Sequence, residues 1–393
     1  MTTTSFNSAV CDLCGSPDQT TLVSLDTHSS MRSDRAISVQ DLVKVTCSQC
    51  GLVRNGIVVE GTTLSDYYTE QYTLSTQPVE HYFYTPQGPV SRSAMIADWL
   101  VQSMGSQRWR PGYRCLEVGA GSGALMNEFV QRFPEILFEG IELNKEAAEL
   151  GRQRGLNITQ GNFDVLGSQQ FDIIYSIAVL EHVPSPTEFL RDIHAHLRLG
   201  GWLFLCQPTQ DVSSYDVFFV DHLHHFGTEH LSHYARKCGF REQGFCVGQT
   251  WMPNFSLHLW QATNVQSDFQ WYGAPGYTTC AETVGATLDD IARLDRTLHD
   301  LRQSQVAVFG LNEVYWLARA YTSLGDFPVV CGLDDTPDKP EYLRLGFPVV
   351  RPEECTLYGV RDVILTMNKV YYAQVEQRMQ ALGLVAYPFL NSV

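Results

Sequence analysis

Short apolar runs alternate with helical stretches through the middle of this 393-residue chain. Four runs have the length and composition of buried strands: RCLEVGA (114–120), LFEGIEL (137–143), FDIIYSIAV (171–179) and WLFLCQP (202–208). Helical patterns such as ALMNEFVQRF and PTEFLRDIHAHL separate them. Strands that alternate with helices predict βαβ units and an α/β fold with a parallel, doubly wound sheet. A shorter repetition of this pattern, VAVFG, EVYWLARAYTSL, PVVCGLDD and DVILTMN, predicts a second, smaller Rossmann-like unit later in the sequence.

Four of the eleven cysteines form two pairs, Cys11/Cys14 and Cys47/Cys50, while the other seven are scattered singly. Each pair is a CxxC turn followed by glycine, and 32 residues separate the two turns. Two such turns can supply a closed tetrahedral zinc site, which is typical of a structural metal rather than a catalytic one. A redox CxxC pair or a chance spacing remains the alternative, although a redox pair normally lies between a strand and a helix.

These patterns divide the sequence into four predicted regions. We expect a zinc-binding module at 1–75, a nucleotide-binding α/β domain at 76–262, a linker or lid at 263–284 and a Rossmann-like domain at 285–393.

The charge balance and the hydropathy pattern limit the expected partners. The chain has 27 basic and 43 acidic residues, a net charge of −16, so binding to nucleic-acid phosphates is disfavoured. No apolar run approaches the ~20 residues of a membrane span, and the first residues, MTTTSFNSAV, do not resemble a signal peptide. We therefore expect a cytoplasmic protein with a small-molecule substrate, no nucleic-acid partner and no membrane partner, and the sequence does not indicate an oligomeric state.

A glycine-rich loop follows the first strand of the middle region. Its glycines, Gly119, Gly121 and Gly123, lie between a strand and a helix, where backbone N–H groups can bind a ligand. The loop by itself also fits the dinucleotide fingerprint GxGxxG/A. Two acidic residues help to decide which cofactor the loop binds. Glu117 precedes the first glycine by two residues, and Glu142 ends the next strand, where it can bind two ribose hydroxyls.

With the later pattern FDIIYSIAVLEHVPSP…LRLGGWLFLCQPT, residues 110–246 resemble class I S-adenosylmethionine (SAM)-dependent methyltransferases. The resemblance implies a Rossmann-like methyltransferase core in which the glycine loop approaches the methionine part of SAM. It also implies that Glu142 binds the ribose and that Asn162 and Phe163 flank the adenine. A surface acid at Glu142 and a simple turn residue at Asn162 are the alternatives. The cofactor-binding residues implied in this way are Glu117, Gly119, Gly121, Gly123, Glu142, Asn162 and Phe163.

The resemblance extends to the three-part sugar C-methyltransferases, on the paired CxxCG turns and on the elements GFPVVRPEE and GVRDVIL. In that family a zinc module, a methyltransferase core and a second Rossmann-like domain enclose a nucleotide-linked deoxysugar. Where that family carries Tyr-His-Glu-His, this chain has Phe219, Val220, Asp221 and His222. Tyr72 aligns roughly with a tyrosine of the family and is the candidate substrate-binding residue; packing of a connecting segment is the alternative.

Candidate proton acceptors follow two of the predicted strands, the run 171–179 and the run 202–208, which is preceded by two glycines. His182 lies in LEHVP, at the carboxyl end of the sheet where ligands bind. His222 and His225 cluster with Asp221, a carboxylate able to orient an imidazole and raise its basicity. We predict that His182, Asp221, His222 and His225 include the catalytic base. The alternatives are that these histidines pack against or cap a helix start, or that they bind a second metal ion.

Two other classes of function use parts of the same pattern. An NAD(P)-dependent oxidoreductase shares the glycine loop, but it predicts a Tyr-x-x-x-Lys or an equivalent, which we do not find. A zinc-ribbon nucleic-acid-binding protein predicts a basic patch between the CxxC turns, where Arg32, Arg35 and Lys44 are offset by three aspartates.

Overall fold

A computed structural model describes residues 9–57, 61–76, 82–85, 88–265 and 278–391. Contacts between residues divide the chain into two compact units. The first unit comprises Met1–Thr21, Lys44–Val212 and His222–Tyr277, and the second unit comprises Leu22–Val43, Ser213–Asp221 and Thr278–Val393. Of the predicted linker or lid at 263–284, residues 266–277 lie outside the described residues, and the remainder from Thr278 onward begins a helix.

The described residues form twenty strands and nine α-helices. The strands are β1 (Gln19–Leu25), β2 (Ser30–Met31), β3 (Ile37–Ser38), β4 (Leu42–Cys47), β5 (Val53–Asn55), β6 (Tyr82–Thr85), β7 (Gly88–Ser91), β8 (Arg114–Val118), β9 (Leu137–Glu142), β10 (Ile158–Gln160), β11 (Phe171–Ile177), β12 (Leu197–Pro208), β13 (His224–His225), β14 (Phe240–Gln249), β15 (Met252–Ala262), β16 (Val306–Phe309), β17 (Val329–Leu333), β18 (Val349–Val350), β19 (Asp362–Leu365) and β20 (Val385–Pro388). The α-helices are α1 (Gly61–Asp66), α2 (Arg92–Met104), α3 (Ala124–Arg132), α4 (Lys145–Gln153), α5 (Pro186–His196), α6 (Thr228–Lys237), α7 (Thr278–Asp300), α8 (Glu313–Tyr321) and α9 (Tyr372–Ala381). None of these described helices is both long enough and apolar enough to cross a membrane.

The first unit is built on a seven-stranded sheet with the order β10-β9-β8-β11-β12-β15-β14. Neighbouring strands from β10 to β12 are parallel, and β15 runs antiparallel to both β12 and β14. In its first five strands the order is 3-2-1-4-5, that of a doubly wound Rossmann sheet. The prediction of an α/β, Rossmann-like core is therefore confirmed, and the four apolar runs correspond to β8, β9, β11 and β12.

Alternate side chains of the central strands enter cores on opposite faces of this sheet. On one face, Leu116 and Leu205 pack in the same buried cluster as residues of α5 and α6. On the other face, Cys115 and Phe204 pack in a cluster that contains Leu125, Met126 and Phe129 of α3. Because both faces are covered, the strands are almost continuously apolar rather than alternating, as expected for a buried parallel sheet.

A smaller sheet with the order β1-β4-β5-β13 lies near the cysteine pairs in sequence. Within it, β5 pairs antiparallel with β4 and also with β13, where Arg54 lies opposite His224 and Val53 lies opposite His225. The histidine-rich segment of the sequence is thus a strand of this smaller sheet.

The second unit contains a five-stranded sheet, β18-β17-β16-β19-β20, in which every neighbouring pair is parallel. Helix α8 begins where the Asn312 side chain accepts a hydrogen bond from Val314 N, so the turn after β16 leads directly into a helix. Two earlier segments of the chain complete this unit. The backbone N–H of Met31 donates to the Tyr321 hydroxyl at 3.1 Å.

Candidate active site

The glycine loop joins the carboxyl end of β8 to the first turn of α3. Gly119 and Gly123 have φ values of 77° and 79°, in the left-handed region that favours glycine. A Cβ on Gly119 would lie 2.5 Å from Val179 Cγ2, and one on Gly123 would lie 2.3 Å from Leu156 Cδ1. Both positions therefore favour glycine, because the backbone conformation is left-handed and because the side chains of Val179 and Leu156 approach closely.

Glu142 ends β9 and holds this loop through its carboxylate. One oxygen, Oε2, accepts a hydrogen bond from Gly121 N at 2.8 Å, and Oε1 accepts one from Asn144 N at 2.8 Å. The side chain is buried, and burial raises its pKa, although the two backbone donors oppose that shift by favouring the charged form. A ligand hydroxyl arriving here would meet a carboxylate already oriented by backbone groups.

Glu117 lies on β8 beneath the loop. It is 4% exposed, and the Tyr175 hydroxyl donates to its Oε2 at 3.2 Å. Burial raises the pKa of Glu117 to about 8, and the nearby Glu142 carboxylate acts in the same direction. At neutral pH this carboxyl is therefore mostly protonated.

Asn162 and Phe163 follow β10 and begin the short helical turn Phe163–Leu166. The Asn162 side chain accepts a hydrogen bond from Asp164 N at 3.0 Å, so it caps this turn. The Phe163 ring stacks on His196 and meets the ring of Phe189 edge-on, each at a centroid distance of 5.6 Å.

The loop after β11 carries His182 in the turn Leu180–His182. It starts at Ala178, whose φ of 53° is uncommon for a residue with a side chain. His182 is buried, its Nδ1 lies 2.9 Å from the Tyr68 hydroxyl, and its Nε2 lies 4.0 Å from Oε1 of the equally buried Glu181. This imidazole is therefore held between a phenol and a carboxylate.

The segment that precedes α6 brings a second imidazole to His182. The ring centroids of His182 and His222 are 4.8 Å apart, and those of His222 and His225 are 5.9 Å apart. The backbone N–H of Leu223 donates to the Glu181 carbonyl at 2.7 Å, which ties the two segments together. Three of the predicted catalytic residues thus lie in one buried cluster. His224, between them, is also buried, and burial lowers its pKa to about 4.

Asp221 belongs to the second unit. Its carboxylate accepts hydrogen bonds from Ser33 N at 2.8 Å and from Ser33 Oγ at 2.7 Å. In the first unit, Glu181 Oε1 lies 4.0 Å from the His182 imidazole.

A tyrosine-rich turn, Tyr67–Gln71, covers this part of the first unit. The rings of Tyr68 and Tyr72 have centroids 5.5 Å and 6.1 Å from that of His182. The Tyr72 carbonyl accepts a hydrogen bond from Asn144 Nδ2 at 3.3 Å. A Cβ on Gly121 would lie 3.5 Å from the Ser75 carbonyl oxygen. The turn and the residues after it therefore lie over both the glycine loop and the imidazole pair.

The four paired cysteines converge in the first unit. The distances from Cys11 Sγ to Cys50 Sγ and from Cys14 Sγ to Cys47 Sγ are both 3.5 Å, and all four sulfur atoms lie within 4.8 Å of one another. Tetrahedral zinc with Zn–S bonds of ~2.3 Å needs S···S separations of about 3.8 Å. Hydrogen bonds from the Cys11 thiol lower the pKa of Cys14 to about 7 and lower that of Cys47 as well. The donor set fits a closed metal site.

Two residues that the structure brings into the site were not singled out from the sequence. Glu181 directly precedes His182, and an acidic residue next to a histidine after a buried strand is a weak local signal. Tyr68 lies in the run YYTEQY, from which spacing does not show which ring faces the histidine.

Comparison with known proteins finds methyltransferases that match the middle of the chain. Residues 92–245 match the protein family described as a methyltransferase domain. The ubiquinone biosynthesis O-methyltransferase of Bordetella avium is 27% identical over 127 residues, which cover 30% of this chain and 51% of that protein. The trans-aconitate 2-methyltransferase of Deinococcus radiodurans is 32% identical over 102 residues, covering 25% and 39%. The chain spans about half the length, or less, of these curated relatives.

A SAM-dependent methyltransferase of known structure from Methanosarcina mazei superposes with a TM-score of 0.35 at 18% identity, covering 41% of this chain and 97% of that one. The sequence matches favour the methyltransferase interpretation over the oxidoreductase and nucleic-acid-binding alternatives. The match over residues 92–245 therefore identifies a methyltransferase domain in the middle of the chain.

Proposed function

We propose that this protein transfers a methyl group from SAM to a small metabolite, with a nucleotide-linked sugar or another natural-product intermediate as the acceptor class. The observation that carries the proposal is that the glycine loop and a pair of imidazoles lie at the same edge of the central sheet. The glycine loop held by Glu142 and the imidazole pair His182/His222 belong to segments that follow the carboxyl ends of neighbouring strands in one sheet. Ligands of doubly wound sheets bind at this edge.

The residues around the glycine loop fit the parts of SAM. The loop would accommodate the methionine part at Gly119, Gly121 and Gly123, because its backbone N–H groups lie between the end of β8 and the start of α3, where they can bind a ligand. Glu142 would accept hydrogen bonds from the ribose hydroxyls, and Asn162 and Phe163 would flank the adenine. When bound, SAM supplies a methyl group on a sulfonium, which is already activated for transfer.

The protein's own contribution is then alignment and proton transfer. An acceptor hydroxyl or an acidic carbon must lose a proton as the methyl group moves, and an imidazole nitrogen of His222 or His225 would take it. His182 would face the acceptor across the pocket, held by Tyr68 and Glu181.

The acceptor class rests on the resemblance to sugar C-methyltransferases and on the tyrosine-rich turn. Tyr72 would contact the acceptor, since its ring lies close to both Tyr68 and His182. One curated relative is named for O-methylation in ubiquinone biosynthesis and the other for methylation of trans-aconitate, so both names belong to small-molecule metabolism. We expect no nucleic-acid or membrane partner.

The remaining parts of the chain complete a three-part architecture in this proposal. Cys11, Cys14, Cys47 and Cys50 would hold one structural zinc ion, and the parallel sheet β18-β17-β16-β19-β20 would form a second Rossmann-like domain. The four thiols, of which Cys11, Cys47 and Cys50 are buried, are spaced close to the tetrahedral separation, and this supports the zinc site.

Calorimetry with S-adenosylhomocysteine (SAH) and with NAD⁺ tests the cofactor assignment. We expect SAH to bind and NAD⁺ not to bind. The variant Glu142→Ala should bind SAH more weakly, whereas Glu146→Ala, an exposed acid on α4, should bind it normally. Binding of NAD⁺ without binding of SAH would overturn the methyltransferase proposal.

Transfer from SAM carrying a CD₃ group, followed by mass spectrometry over a panel of nucleotide sugars and natural-product intermediates, identifies the acceptor. With that acceptor, alanine at the true base among His182, His222 and His225 should lower kcat by about 10²–10⁴-fold while SAH affinity stays unchanged. His299→Ala is the matched control, because this histidine is exposed at the end of α7. A loss below ~10-fold in all three variants would show that the enzyme acts by proximity without a histidine base.

A further inference from the structure

The first cysteine turn is bonded to the start of helix α5 through Asp12. Its Oδ1 accepts hydrogen bonds from Thr187 N at 3.0 Å, Thr187 Oγ1 at 2.7 Å and the Tyr234 hydroxyl at 3.0 Å, and its Oδ2 accepts one from Ser185 Oγ at 2.8 Å. Ser185 is itself the residue that caps α5. Asp12 thus satisfies a further N–H group of the first helical turn, a place where unpaired donors are costly.

Ser185, the residue that caps α5, is only three residues beyond His182. Only Val183 and Pro184 lie between them, so the connection is short. A displacement of Asp12 would therefore be transmitted through Ser185 to the His182 imidazole.

The second cysteine turn is bonded to the histidine segment in a parallel way. The Cys50 carbonyl accepts a hydrogen bond from His230 Nε2 at 3.0 Å, while His230 Nδ1 accepts one from Gly227 N at 3.0 Å. Lys44, on the strand that leads into this turn, donates from Nζ to the His222 carbonyl at 2.6 Å. Asn55, on the strand that follows it, donates its backbone N–H to the Leu223 carbonyl at 3.0 Å.

The glycine loop is supported from elsewhere. The cysteine turns pack in the buried cluster on the α5 and α6 face of the sheet. The loop instead opens α3, whose apolar side chains pack on the opposite face. Coupling from the cysteines to the imidazoles therefore need not pass through α3, although Phe163 packs against the same cluster as the cysteine turns.

We propose that the four-cysteine module is a positioning element of the active site, in which Asp12 sets the position of His182 and the Lys44–Asn55 hairpin sets that of His222. Metal binding by the four thiolates and proton transfer by the imidazoles are then coupled, whereas SAM binding, which also depends on the glycine loop that opens α3, is affected less. This inference rests on the proposed methyltransferase function. Coupling of this kind between two sites is typically about 5- to 150-fold, and a misplacement of ~1 Å can lower a rate by about 10²-fold.

The test uses the full chain with Asp12→Asn, which retains one carbonyl oxygen, and Asp12→Ala, which removes all four hydrogen bonds. Asp18→Asn is the matched control, because Asp18 lies in the same module and is exposed. Four quantities are measured: zinc per chain, SAH affinity by calorimetry, the imidazole signals of ¹⁵N-histidine-labelled protein by NMR, and kcat and KM for the acceptor.

We expect Asp12→Ala to shift the His182 imidazole signal and to lower kcat by about tenfold or more, with zinc content retained and SAH affinity within about threefold of wild type. Asp12→Asn should give a smaller change in the same direction. Removal of zinc with a chelator should shift the His182 and His222 signals while SAH still binds.

Unchanged imidazole signals in Asp12→Ala, or a parallel loss of kcat and SAH affinity in both Asp12 variants, would overturn the inference. If Asp12→Ala does not fold, Asp12→Asn and the chelated wild type decide by the same criteria. Failure of the proposed function has a different signature, since wild type itself would then not bind SAH.

Discussion

Replacing Glu117 by glutamine should stabilise the first unit relative to wild type, and this difference in the free energy of unfolding should increase as the pH rises. The carboxyl lies on β8 with 4% exposure, and burial raises its pKa from the ordinary value of 4.5 to about 8. Glutamine is close in shape to the protonated carboxyl and cannot ionise.

The direction of this pH dependence follows from the number of protons that the folded and unfolded chains bind. Between pH 4.5 and 8 the folded chain keeps the proton on Glu117, while the unfolded chain loses it. Stability from this group is therefore fully present below pH 4.5 and decreases as the pH approaches 8. At about 1.4 kcal/mol per pH unit, the whole interval corresponds to about 5 kcal/mol.

Urea unfolding of wild type and Glu117→Gln, measured at several pH values, checks this prediction. Trp109 is a suitable fluorescent reporter, because it stacks on Phe129 and Phe133 on the face of the seven-stranded sheet that α3 covers. From pH 5 to 7.5, the free energy of unfolding of Glu117→Gln relative to wild type should rise by about 3 kcal/mol. Glu135→Gln, an exposed carboxyl replaced in the same way, should show no such rise. A rise below about 1 kcal/mol in Glu117→Gln would refute the argument that burial keeps this carboxyl protonated.

Three further outcomes follow from the site. Gly123→Ala should destabilise the first unit by about 1–3 kcal/mol, because the new Cβ would meet Leu156 Cδ1 at 2.3 Å in a left-handed backbone conformation; chemical denaturation measures this. Glu142→Gln should weaken SAH binding by ~1–3 kcal/mol in calorimetry, since a charged acceptor is lost both to the ribose and to Gly121 N. Cys47→Ser should lower the metal content below ~0.5 zinc per chain and expose the module to proteolysis, because thiolate ligation supplies its folding energy; a full zinc complement in this variant would contradict the four-cysteine site.

Local sequence patterns were sufficient to predict the central strands of the seven-stranded sheet in the first unit. The run 114–120 became β8 and the run 171–179 became β11, because each is a short apolar segment between helical patterns. The hairpin of β14 and β15 was not singled out, although its strands are ten and eleven residues long. Charged and polar residues interrupt β14, which lies at the sheet edge with one partner and so does not need an apolar run.

Spatial partners of the site could not be predicted in the same way. The hydrogen bond between Tyr68 and His182 joins residues 114 positions apart, and no local pattern encodes such a contact. The pairing of β5 with β13 likewise brings the residues after Cys50 to His224 and His225 without a signal in either segment. Motif spacing located the glycines and cysteines, whose geometry depends on the nearby backbone, but not the neighbours of the histidines.

The second unit is assembled from three separate stretches of chain, and this has a consequence for synthesis. Met31, which is fully buried, is made 290 residues before Tyr321, the residue whose hydroxyl accepts its backbone N–H. At 5–20 residues per second, the ribosome needs roughly 15 to 60 seconds to cover that distance. Residues 22–43 are therefore synthesised long before the last segment of the second unit that they join. Nascent chains stalled near residue 277 should be good clients for a chaperone, and release should follow only when the remainder of the second unit emerges.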